Sequence, residues 1–247
     1  MRATTIDEVI LHLEQIIQTS ITEESAHGYF AALYQKVTIT VKEKLGKNYF
    51  DDDARMERLD VIFANRYLAA YTSHKQGKEI TKSWEAAFRA AETNNLIVLQ
   101  HLLLGMNAHI NLDLGIAAAE ISDVSTIEHL QYDFNRINEI LSTLIEDIQK
   151  DLSMIWPTLS AILRFTNKVD RFLVSFSMDL ARNGAWKFAN ELVAQNEKEG
   201  MILLRDRTIA GITKKIAPDG IVERIIFAII RFGERGNPAE KINALKN

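Results

Sequence analysis

The chain has 247 residues, 47% of them hydrophobic and 25% charged, which is the balance of a soluble globular protein with enough apolar side chains for a substantial core. A formal net charge of −4 supplies no basic field to gather nucleic acid or anionic lipid. Cysteine is absent, which excludes disulfides, thiolate metal sites and a cysteine nucleophile.

Three prolines, eleven glycines and apolar spacings of three and four predict an all-α protein, a single compact multi-helix bundle over residues 1–247. Thr5-Ile-Asp-Glu8 is a capping-box pattern opening a helix to about Gln18. A second helix is expected from Glu23 to Lys44, with Phe30, Leu33, Val37, Val41 and Leu45 on one side and Gly46 as its stop. A third runs from about Asp53 to His74, ended by Gln76-Gly77-Lys78, and a short one from Ser83 to Glu92, capped by Thr81 or Ser83. Thr93 to Leu112 follows, twenty residues without Asp, Glu, Lys or Arg, read as a buried, nearly uncharged central helix. Beyond Ser122-Asp-Val-Ser125, a long amphipathic helix spans roughly Thr126 to Leu152 with a Leu130, Phe134, Ile137, Leu141, Leu144, Ile148 stripe. Pro157 suits the first turn of the next helix, which runs to about Gln195 with a bend near Asn183-Gly184. Met201 to Lys215 and Ile221 to Phe232 are the last long helices. The strongly apolar Ile221–Phe232 reads as a core or dimer helix, which leaves a homo-oligomer open.

The uncharged run holds the chemistry. At 100° per residue, His101, Gly105, His109 and Asp113 fall on one row, while Gln100, Asn107 and Asn111 gather on another. His109 and Asp113 are one turn apart. The carboxylate can orient the imidazole as a catalytic acid or base, or both can ligate a divalent metal ion as a cofactor. Gly105 leaves room beside them for a helix or a ligand. The plainer reading is a structural hydrogen-bond network, because buried polar groups are normally satisfied. Asp60 projects among Met56, Phe63, Ala64, Tyr67 and Tyr71, an apolar face where a carboxylate needs a cation, a metal or several donors. Its partner is either Arg or Tyr from a neighbouring helix, or the His109/Asp113 group, which it would complete. Asp51-Asp-Asp-Ala-Arg-Met-Glu57 invites comparison with acidic metal-diphosphate motifs, but three acids at a helix start favour the helix dipole and no second metal motif follows. No phosphate loop, serine elbow, His-Glu-x-x-His motif or calcium loop is present.

Leu104-Gly105-Met-Asn107-Ala108-His109-Ile-Asn111-Leu-Asp113-Leu114 resembles the signature of a bacterial family known only as a domain of unknown function. Leu59-Asp60-Val-Ile-Phe-Ala-Asn65-Arg66-Tyr67-Leu68 resembles that family's second distinctive block. The resemblance runs over most of the chain. It implies a helical fold, supplies no activity, and singles out His109, Asp113, Asp60, Asn107 and Arg66.

The expectation is therefore a small-molecule enzyme of hydrolytic or acid/base type with a polar pocket in the bundle core. His109, Asp113 and Asp60 would be its catalytic or metal-binding group, and His101, Asn107, Asn111 and Arg66 would contact the ligand. The alternative is a non-catalytic ligand- or partner-binding helical protein whose buried row is structural. No signal-peptide core opens the chain and no run reads as a membrane span, so the expected location is cytoplasmic.

Overall fold

Thr5 caps the first helix as its sequence demands, accepting a hydrogen bond from the Glu8 backbone N–H at 3.2 Å. The returning arm of the box lands one residue early, with the Glu8 carboxylate accepting from the Thr4 N–H at 2.6 Å and its hydroxyl at 2.7 Å. The structure is a computed structural model and describes residues 1–93, 95–156 and 178–246. In it α1 spans Ile6–Thr22, α2 His27–Lys44, α3 Asp53–Lys75 and α4 Lys82–Ala91. Glu24 takes a φ of +49°, so α2 begins at His27 rather than at the expected Glu23. Gly46 and Gly77, at φ of +72° and +66°, follow the ends of α2 and α3 in the left-handed conformation that glycine adopts without penalty.

The uncharged run becomes α5 (Val98–Ala108), a π-helical turn (His109–Asp113) and α6 (Leu114–Glu120), one continuous helical rod. Then come α7 (Ile127–Ile155), α8 (Met178–Val193), α9 (Glu199–Ile216), α10 (Ile221–Phe232) and α11 (Pro238–Lys246). The fold is all-α, with no strand among the described residues. The first part of the helix expected from Pro157 lies outside the described residues, as do the Leu144 and Ile148 side chains of the α7 stripe. From Met178 the helix continues through Asn183-Gly184 without interruption. The nine-residue α11 was not expected; it packs Ile242 and Leu245 into the core beside α1 and α2.

The α5–α6 rod lies in the middle, against α2, α4, α8 and α9. Val98–Glu120 is long and apolar enough to pass for a membrane span by composition, contrary to the expectation that no run qualifies. Its window is 94% buried inside the protein, as a central core helix must be.

One helix start is capped from afar, and the approach to another is held from afar. Thr81 makes no capping bond for α4. Instead Asp206 of α9 accepts from the Lys82 N–H at 2.7 Å, the Ser83 N–H at 3.0 Å and the Ser83 hydroxyl at 2.7 Å. The start of α3 is capped by its own Asp52, which accepts from the Arg55 N–H at 2.9 Å, while Asp133 of α7 holds the segment ahead of it, accepting from the backbone N–H of Asp51 and Asp52 at 2.6 and 3.2 Å and from the Arg55 side chain at 2.7 Å. The Asp51-Asp-Asp run is thus a helix-start segment, as its sequence suggests. Losing a cap and leaving buried donors unmet both cost energy, so Asp206→Ala is expected to lower stability by about 2–3 kcal/mol in urea unfolding, with Asp206→Asn intermediate.

Candidate functional site

The widened turn His109–Asp113 sits at the centre of the rod, closed by the Leu114 N–H donating to the His109 carbonyl. Such π turns insert one residue into an α-helix and cluster at functional sites. All five of its residues are buried. Asp113 is 1% exposed and carries three partners. Arg66 of α3 donates from Nε to Oδ1 at 2.8 Å, Trp84 of α4 donates from Nε1 to Oδ2 at 2.7 Å, and His109 Nδ1 lies 3.4 Å from the same Oδ2. Arg66 also reaches towards Glu120, 3.6 Å from Nη1.

Burial alone would raise the Asp113 pKa; the His109 hydrogen bond and the Arg66 charge outweigh it and hold the carboxyl below its usual range. For His109 burial wins. It pushes the imidazole below its ordinary value despite the neighbouring carboxylate. The ring is therefore neutral at pH 7. An ionised carboxylate has no proton to share, so this network assigns the hydrogen to Nδ1 and leaves a lone pair on Nε2.

That Nε2 is buried without a hydrogen-bond partner among the described residues. Its ring is boxed by aromatics: Phe63 stacks on it at 3.6 Å between centroids with planes 7° apart, and Tyr34 meets it edge-on at 4.5 Å. Phe30, Trp84 and Tyr67 stand further out, at 5.7 to 6.2 Å. Phe30 occupies the space beside Gly105, where an added Cβ would fall 2.5 Å from its ring. The room expected there thus belongs to α2. The open space lies on another side, a cavity of about 90 Å³ lined by His109, Tyr34, Phe63, Met106, Ile137 and Arg182 among others. Its surface is overwhelmingly apolar. The Tyr34 hydroxyl is also buried and unpartnered.

Among the described residues no hydrogen bond joins the expected site residues other than Asp113 to His109. Asp60 is 7% exposed, and among the described residues no hydrogen bond or ion pair joins it to His109 or Asp113. Its Oδ2 has no partner. Burial, with a smaller push from Glu57, raises its pKa to about 7, and its charge acts in turn on Tyr34. Arg66, expected to contact the ligand, pairs with Asp113. His101 faces Tyr29, 5.6 Å between centroids, and burial pushes its pKa down to about 3. Asn107 donates to the Ile209 carbonyl of α9 at 3.0 Å and accepts from Asn111 at 3.1 Å, while the Asn111 carbonyl accepts from Arg205 at 3.0 Å. These bonds hold α9 against the rod. Gln100 belongs to the same set, donating to the Ile216 carbonyl at 2.9 Å.

The metal expectation at His109, Asp113 and Asp60 has no geometric basis. Asp113 gives its oxygens to Arg66 and Trp84, and among the described residues these three side chains do not bring their ligand atoms together. Sequence reasoning missed Trp84, Tyr34 and Phe63. Each sits at ordinary helical core spacing, so nothing distinguishes it from packing until the helices meet.

No curated protein and no solved structure matches this chain. A protein-family model does match over residues 6–218, and on that extent the chain belongs to a family of unknown function (DUF5995).

Proposed function

We propose that this protein acts on a small molecule in the cavity beside His109, by acid/base rather than covalent chemistry. His109 Nε2 is the proton acceptor, Asp113 orients the ring and stabilises the imidazolium once formed, and Arg66 and Trp84 hold Asp113 in place. The Tyr34 hydroxyl is the second polar contact. Asp60 enters only through its charge on Tyr34. The described lining offers no serine, threonine or cysteine, which argues against a nucleophilic route. One observation carries this reading: His109 Nε2 and Tyr34 Oη are buried with no hydrogen-bond partner among the described residues, and both residues line the same apolar cavity. An unmet buried group costs about 1–3 kcal/mol, so a partner that meets both is strongly favoured. About 90 Å³ admits only a few heavy atoms, so the ligand is a small alcohol-like group or the tip of a longer chain.

Short alcohols from methanol to butanol are the test probes, followed by histidine-selective 15N NMR. The expected result is a saturable shift of the His109 Nε2 resonance, weakened in Tyr34→Phe, and loss of alcohol binding by His109→Gln as read by calorimetry. Unsaturable shifts, or equal binding by His109→Gln, would sink the proposal. The alternative, a non-catalytic protein with a structural row, draws support from the bonds of Asn107, Asn111 and Gln100 to α9. It predicts that His109→Gln changes stability alone.

A further inference from the structure

Three helix ends converge away from this cavity. His27 opens α2, His74 lies in the last turn of α3, and Glu92 is the residue that closes α4. One ligand atom from each comes within 4.8 Å of the other two. His74 Nε2 and Glu92 Oε1 stand 2.9 Å apart, an arrangement that an ion pair alone would explain. His27 is what an ion pair leaves unexplained. It is 8% exposed, its Nδ1 is buried without a partner, and its ring makes no hydrogen bond among the described residues. Tyr71, His74 and Phe88 surround the ring at 5.8, 5.7 and 5.6 Å between centroids. Burial, reinforced by the Lys75 charge, pushes the His27 pKa down to about 4, so its lone pair is available at neutral pH. Lys75 itself is drawn to Glu23, 3.1 Å away.

We propose that His27, His74 and Glu92 bind a divalent transition-metal ion of the zinc type, which ties together the ends of α2, α3 and α4. Two imidazoles and one carboxylate are a donor set that suits zinc and its neighbours and that calcium and magnesium, which prefer all-oxygen shells, do not use. Three protein ligands leave a fourth position for water. Glu92 has a half-exposed side chain at a helix end, so it can swing away from His74 to admit the ion. Binding would replace the His74–Glu92 contact with two metal bonds and bring a nitrogen of His27 into the same shell.

Zinc alone is the probe. Full-length protein is stripped with a chelator and titrated with zinc by calorimetry, and cobalt is then substituted to read the visible bands of a four-coordinate site. One equivalent is expected to bind, and the melting temperature is expected to rise with zinc. His74→Ala and Glu92→Gln alter partly exposed side chains and should stay folded by circular dichroism. Each is expected to weaken binding at least about tenfold, since even outer partners of metal ligands are worth that much. His109→Gln should bind zinc as the wild type does, which separates this site from the cavity. The proposal is overturned if the stripped protein takes up no zinc, or if His74→Ala and Glu92→Gln bind it with wild-type affinity.

Discussion

Arg66→Met is expected to lower stability by about 3–5 kcal/mol, the usual cost of stranding one member of a buried ion pair. For a chain of this size that is a fall of roughly 6–20 °C in melting temperature. Asp113 is 1% exposed, and without the guanidinium its charge has only the Trp84 and His109 donors to face. Asp113→Asn should cost less. The amide keeps an oxygen for Trp84, and Arg66, whose side chain is 25% exposed, can turn to water and Glu120. The double variant Arg66→Met/Asp113→Asn should be more stable than Arg66→Met, because no charge remains buried. The pH dependence follows from the depressed Asp113 pKa. Its contribution is complete above the ordinary carboxylate range and is lost as pH falls through the folded-state value. The wild type's advantage over Arg66→Met should therefore shrink in acid. Urea unfolding of the four proteins at several pH values decides it; a double variant no better than Arg66→Met would contradict the assignment.

Asp60 runs the other way. Its pKa rises from 3.8 to about 7 on folding, so the folded state keeps a proton that the unfolded chain releases. Its contribution is fully present below the unfolded value and is lost as pH climbs through about 7. The slope is at most about 1.4 kcal/mol per pH unit, or about 4 kcal/mol across the interval. Asp60→Asn has the same shape and no titration. Compared at pH 4 and pH 8, the variant should gain about that much on the wild type at the alkaline end. Parallel stability curves for the two proteins would show that Asp60 titrates normally and is solvated or paired.

The helices were largely legible because each depends on neighbours in sequence. Thr5, Asp52, Gly46 and Gly77 mark ends through local chemistry, and the uncharged run announces its own burial. His109 with Asp113 was legible for the same reason, being one turn apart. What the sequence did not disclose lies between segments. Arg66 and Asp113 are 47 positions apart, and Trp84 is 29 from Asp113. The π turn adds a residue that a 3.6-residue count does not register, so faces read across it drift out of phase. Asp60 was placed on an apolar face correctly, but helical projection cannot say which neighbour that face meets. His27, His74 and Glu92 share no motif spacing at all, and only the meeting of three helix ends relates them.

The borrowed caps bear on how the protein is made. Asp206 satisfies the start of α4 from more than 120 positions downstream, and Asp133 that of the α3 entry from about 80. A nascent chain that has exposed α4 must wait for α9 before that start is closed, and the approach to α3, already capped by Asp52, waits for α7 to be tied down. At translation speeds of about 5–20 residues per second, that is a delay of several seconds to tens of seconds for α4. Until then the start of α4, which carries Trp84, lacks its Asp206 cap. The first half of this protein is thus a poor candidate for independent production, and a premature stop before residue 206 should yield a chain held by chaperones or cleared by proteases rather than a smaller folded domain.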